Sequence, residues 1–242
     1  TVRWELSSST YPDLGYVVSP IQVGVLPNGE WMAIFGNGPF STAGKASLFV
    51  VNLQSGAAQT LDVETTTGDN ALGGVGVVRN SNGEITTLYA GDLKGKLWKF
   101  DYSASASSRF IISGGTALFA AASTQSITQP PIIYDHSKGG KMVVFGTGRL
   151  MTEDDANNTD TQAIYGVWDK GVDSVSRPMS TSLLKSRTLN TVTGSGGAKF
   201  YSLAGSAIDW NASSPPERGW VIDLSVVTGM RVAYPPQVVS KK

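Results

Sequence analysis

Four aspartates, Asp92, Asp101, Asp169 and Asp223, stand at or beside the ends of short apolar runs. A carboxylate so placed could serve as a general base or as an oxygen ligand for a hard cation. All four fall at comparable places in successive segments, whereas a catalytic residue need occur only once. An Asp at a strand end also accepts backbone N–H groups and fixes the turn beside it, so we read the set as scaffolding. His136 is the only histidine and lies in the polar stretch YDHSKGG. Metal binding and proton transfer want partners at defined spacing, so His136 reads as a surface residue. The stretch TEDDANNTD, residues 152–160, gathers Glu153, Asp154, Asp155 and Asp160. Its spacing follows no cation-ligand pattern, and it reads as a solvated connection. The short GNG, GTG and TGSGG runs open no helix and make no phosphate fingerprint. No catalytic, cofactor-binding or metal-binding residue is assigned.

The elements around these residues repeat. SPIQVGVLPNGEWMAIFGNG (Ser19–Gly38), LGGVGVVRNSNGEITTLYAGD (Leu72–Asp92) and QPPIIYDHSKGGKMVVFGTG (Gln129–Gly148) share one pattern. Each is an apolar strand, a turn carrying glycine, and a second apolar strand closing on an aromatic and a glycine. The closing glycines Gly36, Gly91 and Gly146 are 55 residues apart. The turns at Asn28-Gly29, Asn82-Gly83 and Gly139-Gly140 predict hairpins with positive φ at both central residues. A further strand follows each hairpin, SLFVVNL, KLWKFD and AIYGVWD, and GWVIDL comes later as a fourth. This is the sequence signature of antiparallel β-propeller blades, about four of them recognisable here. Trp31, Trp98, Trp168 and Trp220 recur with the blades and read as packing between sheets, Trp98 and Trp168 at equivalent positions. Trp4 and Trp210 lie outside that series. Pro178 argues against a helix over residues 174–190, which reads as a strand with a long connection.

Composition narrows the classes. The chain has 242 residues with 19 basic and 19 acidic side chains, which gives no electrostatic case for nucleic acid or an anionic membrane. There is no cysteine, and no apolar run nears the roughly 20 residues that span a bilayer. Starting at Thr1 with no signal-like segment, the chain reads as a piece of something larger.

DLGYVVSPIQV, WMAIFGNG, LYAGDLKGKLWKFD, VVFGTGRLM, QAIYGVWD and RGWVIDL, in that order over about residues 13–224, resemble the C-terminal β-propeller of the PilC/PilY family. These are type IV pilus tip-associated adhesins and biogenesis factors. The resemblance implies an all-β fold and an extracellular protein at the pilus tip, resting on minor pilins. It implies a non-enzymatic adhesin and scaffold supporting pilus assembly, attachment to host-cell or abiotic surfaces, and twitching motility. It further implies that residues 1–242 are one β-propeller domain, a fragment of a roughly seven-bladed fold lacking its opening blade and closing strands. Many members carry a calcium loop before the YAGD stretch. The matching positions here are Val78, Asn80, Asn82, Glu84 and Thr86. Valine offers no side-chain ligand and only Glu84 brings a carboxylate, so residues 78–86 read as a hairpin without calcium and no cofactor is expected.

Two other functions compete. GKLWKFD also resembles the blade-docking stretch of quinoprotein-type dehydrogenases, which need a calcium-held quinone and a carboxylate base in the channel. No non-repeating acid here offers that base. A carbohydrate-binding propeller would instead carry its ligand on exposed aromatics.

Overall fold

In the computed structural model, which describes residues 2–64 and 68–237, the repeats become sheets. The first contains β1 (Gln22–Val25), β2 (Trp31–Gly36), β3 (Ser47–Asn52) and β4 (Ala58–Asp62), paired in chain order. The second contains β5 (Leu72–Arg79), β6 (Ile85–Asp92), β7 (Lys96–Tyr102) and β8 (Phe110–Ile112), with β9 (Phe119–Ala120) also on β7. The third begins with β10 (Ile132–Asp135) and β11 (Lys141–Gly146), followed by a one-turn helix, α1 (Glu153–Asn157). It continues with β12 (Ala163–Asp169), β13 (Lys185–Thr193), β14 (Lys199–Ala204) and β15 (Gly219–Asp223), in the order β10-β11-β12-β15-β13-β14. All strand pairs are antiparallel except β13 with β15.

The all-β, bladed reading holds, while the count of about four units resolves into three sheets. GWVIDL is β15, which pairs with β12 as the outer strand of the third blade. The chain inserts β13 and β14 before that strand is laid down, so in sequence it looks like the start of another unit.

The three repeated turns are alike but are not two-residue turns. In each, the first residue donates its N–H to the fifth and accepts the N–H of the fourth: Leu26 with Glu30 and Gly29, Asn80 with Glu84 and Gly83, His136 with Gly140 and Gly139. Only the glycine of each Asn-Gly pair has positive φ, Gly29 at 82° and Gly83 at 81°. This is a type I turn closed by a glycine bulge, whose strong twist suits a twisted blade.

The strands of β2 and β3 are buried along nearly their whole length rather than at alternate residues. A propeller blade is covered on both faces. Met32, Ile34, Leu48 and Val50 meet Leu88, Ala90, Trp98 and Phe100 of the second blade. Ala33, Phe35, Phe49 and Val51 face the other way, under Trp4, Leu6, Tyr11 and Leu14 of the N-terminal segment. Between the second and third blades pack Tyr89, Leu97 and Phe119 with Val143, Phe145 and Tyr165.

The glycines spaced 55 residues apart mark where the next blade crosses. A Cβ at Gly36 would collide with the carbonyls of Leu72 and Gly73, one at Gly91 with Ile127, and one at Gly146 with Val232. The Ile127 N–H bonds the Asp92 carbonyl at 2.9 Å, and the Val232 N–H bonds the Thr147 carbonyl at 3.0 Å. Leu72, Ile127 and Val232 are therefore equivalent, and a fourth unit opens at Val232.

Candidate functional site

The most chemically loaded cluster joins the second blade to the third. The β12 strand ends at Asp169, 3% exposed, where its carboxylate accepts the Gly171 N–H and closes the turn. The same carboxylate takes the Tyr89 hydroxyl at 2.7 Å and the Lys99 ammonium at 2.8 Å, with Arg177 at 3.5 Å. Burial alone would raise the Asp169 pKa, but the hydrogen bonds and charge of Lys99, with Tyr89, hold it below the usual carboxylate range. Burial, with Asp169 beside it, pushes the Tyr89 phenol far up. A carboxylate so fully paired is a weak base, and a phenol so raised is no nucleophile at neutral pH. The cluster, beside a cavity of about 140 Å³, is a polar joint between blades.

The other aspartates divide. Asp92 is fully buried and accepts the Lys94 and Lys96 N–H groups, the Trp98 indole and the Asn70 amide. Asp223 accepts the Ser225 N–H. Asp101 does not cap a turn; it takes a Thr87 hydroxyl at 3.4 Å. In register, Asp101 lies opposite Thr87 and Asp169 opposite Lys141, so they are not equivalent.

The acidic stretch is not a solvated loop. Thr152 caps α1, and Asp155, 4% exposed, binds Arg149 at 2.6 Å and the Met151 and Thr152 N–H groups. Burial opposes ionisation of Asp155, but these donors and Arg149 hold its pKa down. Across residues 78–86, Val78 lies in β5 and Thr86 in β6. The Asn80 carbonyl oxygen accepts the Asn82 and Glu84 N–H groups, and its amide donates to Glu84 at 2.6 Å. The donor set of two amides and one carboxylate, already spent on the turn, does not fit a tight calcium site.

The tryptophans depart most from the sequence reading. Trp31 is 58% exposed rather than packed between sheets. Trp98 and Trp168 are buried, but Trp98 lies opposite Ala90 and Trp168 opposite Met142, three register positions apart relative to the closing glycines. Tyr165 and Phe49 are the true counterparts of Trp98. Trp220 lies over Gly166, its cross-strand partner. His136 is no isolated surface residue: its ring stacks on Trp168 at 4.3 Å and meets Trp210 edge-on at 4.5 Å. Burial, then Lys138, lowers the imidazole pKa, and its Nδ1 accepts the Lys138 N–H. Sequence reasoning missed Lys99 and Trp210. Lys99 interrupts an apolar strand where the first blade has Val50, a visible signal; Trp210 lies 42 residues from Trp168 with nothing in the sequence to join them.

Recurring four-stranded blades, crossed at glycines and joined by buried polar groups, define a propeller scaffold. Comparison with known proteins specifies it further. The PilY1 beta-propeller domain matches residues 7–198, and the chain belongs to that family. It is 33% identical over 260 residues to type IV pilus biogenesis factor PilY1 of Pseudomonas aeruginosa, covering 92% of this chain and 22% of that protein. A PilY1 homolog of Xylella fastidiosa is 34% identical over 192 residues, covering 70% of this chain and 13% of its own length. The crystal structure of the P. aeruginosa PilY1 C-terminal domain superposes with a TM-score of 0.78 at 29% identity, over 91% of this chain and 52% of that one. The chain thus spans about a fifth of the curated relative and about half of the solved domain.

Proposed function

We propose that this chain is part of a non-enzymatic, extracellular adhesin and scaffold at the type IV pilus tip. It rests on minor pilins and supports pilus assembly, surface attachment and twitching motility. The observation that carries this reading is membership of the PilY1 propeller family over residues 7–198. The paired Asp169 and the absence of a non-repeating acid in the sequence support a scaffold over a quinoprotein. Among the described residues no helix is long and apolar enough to cross a membrane. The test is a P. aeruginosa PilY1 chimera carrying this chain in place of its matching propeller segment, in cells lacking their own. Restored surface pili, attachment and twitching are expected. A secreted, folded chimera that restores none of them overturns the reading, as would a quinone absorbance band in the purified chain.

The hairpin at residues 78–86 takes no calcium on this reading, and no cofactor is needed. A native-state ligand at about 100 times its Kd adds about 2.7 kcal/mol, so calcium or a chelator is expected to leave the melting midpoint unchanged. A calcium-dependent rise abolished by Asn80→Ala with Asn82→Ala would place a site in the hairpin after all. A rise that survives this pair but is lost in Asp154→Ala would place it beside α1.

A further inference from the structure

The third repeat breaks the period. Leu72 and Ile127 are 55 residues apart, but Val232 lies 105 beyond Ile127, so 50 residues are added. The addition falls between β12 and β15, and it leaves the crossing at Gly146 intact. Added segments in repeat proteins gather on one face, often the face that binds.

Here the added segment and the blade wall a hollow of about 470 Å³, within the range of about 300–1,000 Å³ usual for small-ligand sites. The blade supplies Trp168, Lys170 and, from the β10–β11 hairpin, Lys138; the addition supplies Ser174, Trp210 and Asn211. The aromatic wall is fixed in advance. The Trp168 indole donates to the Gly139 carbonyl at 2.8 Å, and Trp210 meets Trp168 at 5.5 Å and 87°, with His136 against both. Trp210 stays half-buried at the rim while Trp168 is 2% exposed.

The charge is one-sided. Arg218 is spent on Asp173, through Nε at 2.6 Å and Nη2 at 2.9 Å. Lys138 and Lys170 are exposed and form no ion pair with another described residue. The Lys170 ammonium stands 5.0 Å from the Trp168 ring. Two unpaired ammonium groups beside an indole, an amide and a hydroxyl ask for a ligand with an anionic group, an apolar face and a polar rim. A sugar ring bearing a carboxylate has all three. We infer that this hollow binds an acidic saccharide, its ring against Trp210, its carboxylate toward Lys138 and Lys170, and its hydroxyls toward Asn211 and Ser174. This names a surface chemistry for the attachment role and rests on that reading for its use, but not for the binding itself.

The test titrates the purified chain with a galacturonic acid trimer, read by tryptophan fluorescence and calorimetry. Saturable binding with a Kd of about 1 mM or tighter is expected, weakening as salt is raised. Lys138→Gln with Lys170→Gln, both surface changes, is expected to weaken it by about tenfold or more. Trp210→Ala is expected to abolish it. Equal binding of neutral maltotriose, an equal response to sodium sulfate or adenosine monophosphate, unchanged binding in the lysine variant, or no saturation with the trimer overturns the inference. Failure here leaves the chimera test untouched, and a chimera that fails leaves the measured binding standing.

Discussion

Asp169 and Asp92 are both buried acids, and their environments push them in opposite directions. Lys99 outweighs burial at Asp169, so its folded pKa lies below the ordinary value of about 3.9. Its contribution to stability is complete above that value and is lost as pH falls through the lower folded pKa. Burial wins at Asp92, where the donors are uncharged, and its pKa rises; its contribution is present below about 3.9 and fades as pH rises through the folded value. Asp169→Asn is therefore expected to flatten the acid limb of a stability-versus-pH curve measured by denaturant melts, while Asp92→Asn should not. Breaking a buried pair from one side costs about 3–5 kcal/mol, so Lys99→Met is expected to lose an amount of that order in a melt at pH 7. The turn-capping role of Asp169 was legible in the sequence, since it lies two residues from the N–H it accepts. Its partners were not, because Tyr89 is 80 residues away and Lys99 is reached only once two blades have stacked.

The hairpin and the crossing are the elements that repeat, and their glycines do different work. Gly29 needs positive φ, at 82°, but has nothing within 4 Å of a Cβ, whereas Gly91 would drive a Cβ into Ile127. Gly91→Ala is expected to cost about 1–3 kcal/mol by overpacking, and Gly29→Ala on the order of 1 kcal/mol by backbone strain alone. Urea unfolding of the two variants checks the ranking. Gly91→Ala should also loosen contacts across the blade junction, read as faster hydrogen exchange at Ile127. The hairpins and their spacing were legible because glycine is needed at fixed points of the chain. The register of the third strands was not. Aligning KLWKFD and AIYGVWD on their final Asp put Trp98 beside Trp168, whereas pairing is set from the other end, where Gly91 faces Leu97 and Gly146 faces Ile164.

In the whole molecule, each blade lends one face to its neighbour, and the first blade's remaining face is covered by the chain's own N-terminal segment. Trp4, Leu6, Tyr11 and Leu14 lie over Phe35 and Phe49, and the Trp4 indole donates to the Leu53 carbonyl at 3.3 Å. Removing residues 2–14 is expected to lower the melting midpoint and to raise binding of a hydrophobic dye; unchanged values would mean the segment covers nothing of consequence. A blade array was readable from periodicity, but the N-terminal cover was not, because those residues follow no period. The third repeat supplies a last consequence. Its 50 extra residues leave in strand order β12 and return in β15 to the same pairing that an uninterrupted blade would make. The scaffold therefore closes around whatever is threaded through that gap, which makes the Lys170–Arg218 window a cassette. Foreign loops or short epitopes spliced there should be displayed on a folded propeller, and sibling proteins could diverge in this window while the blades beneath stay the same.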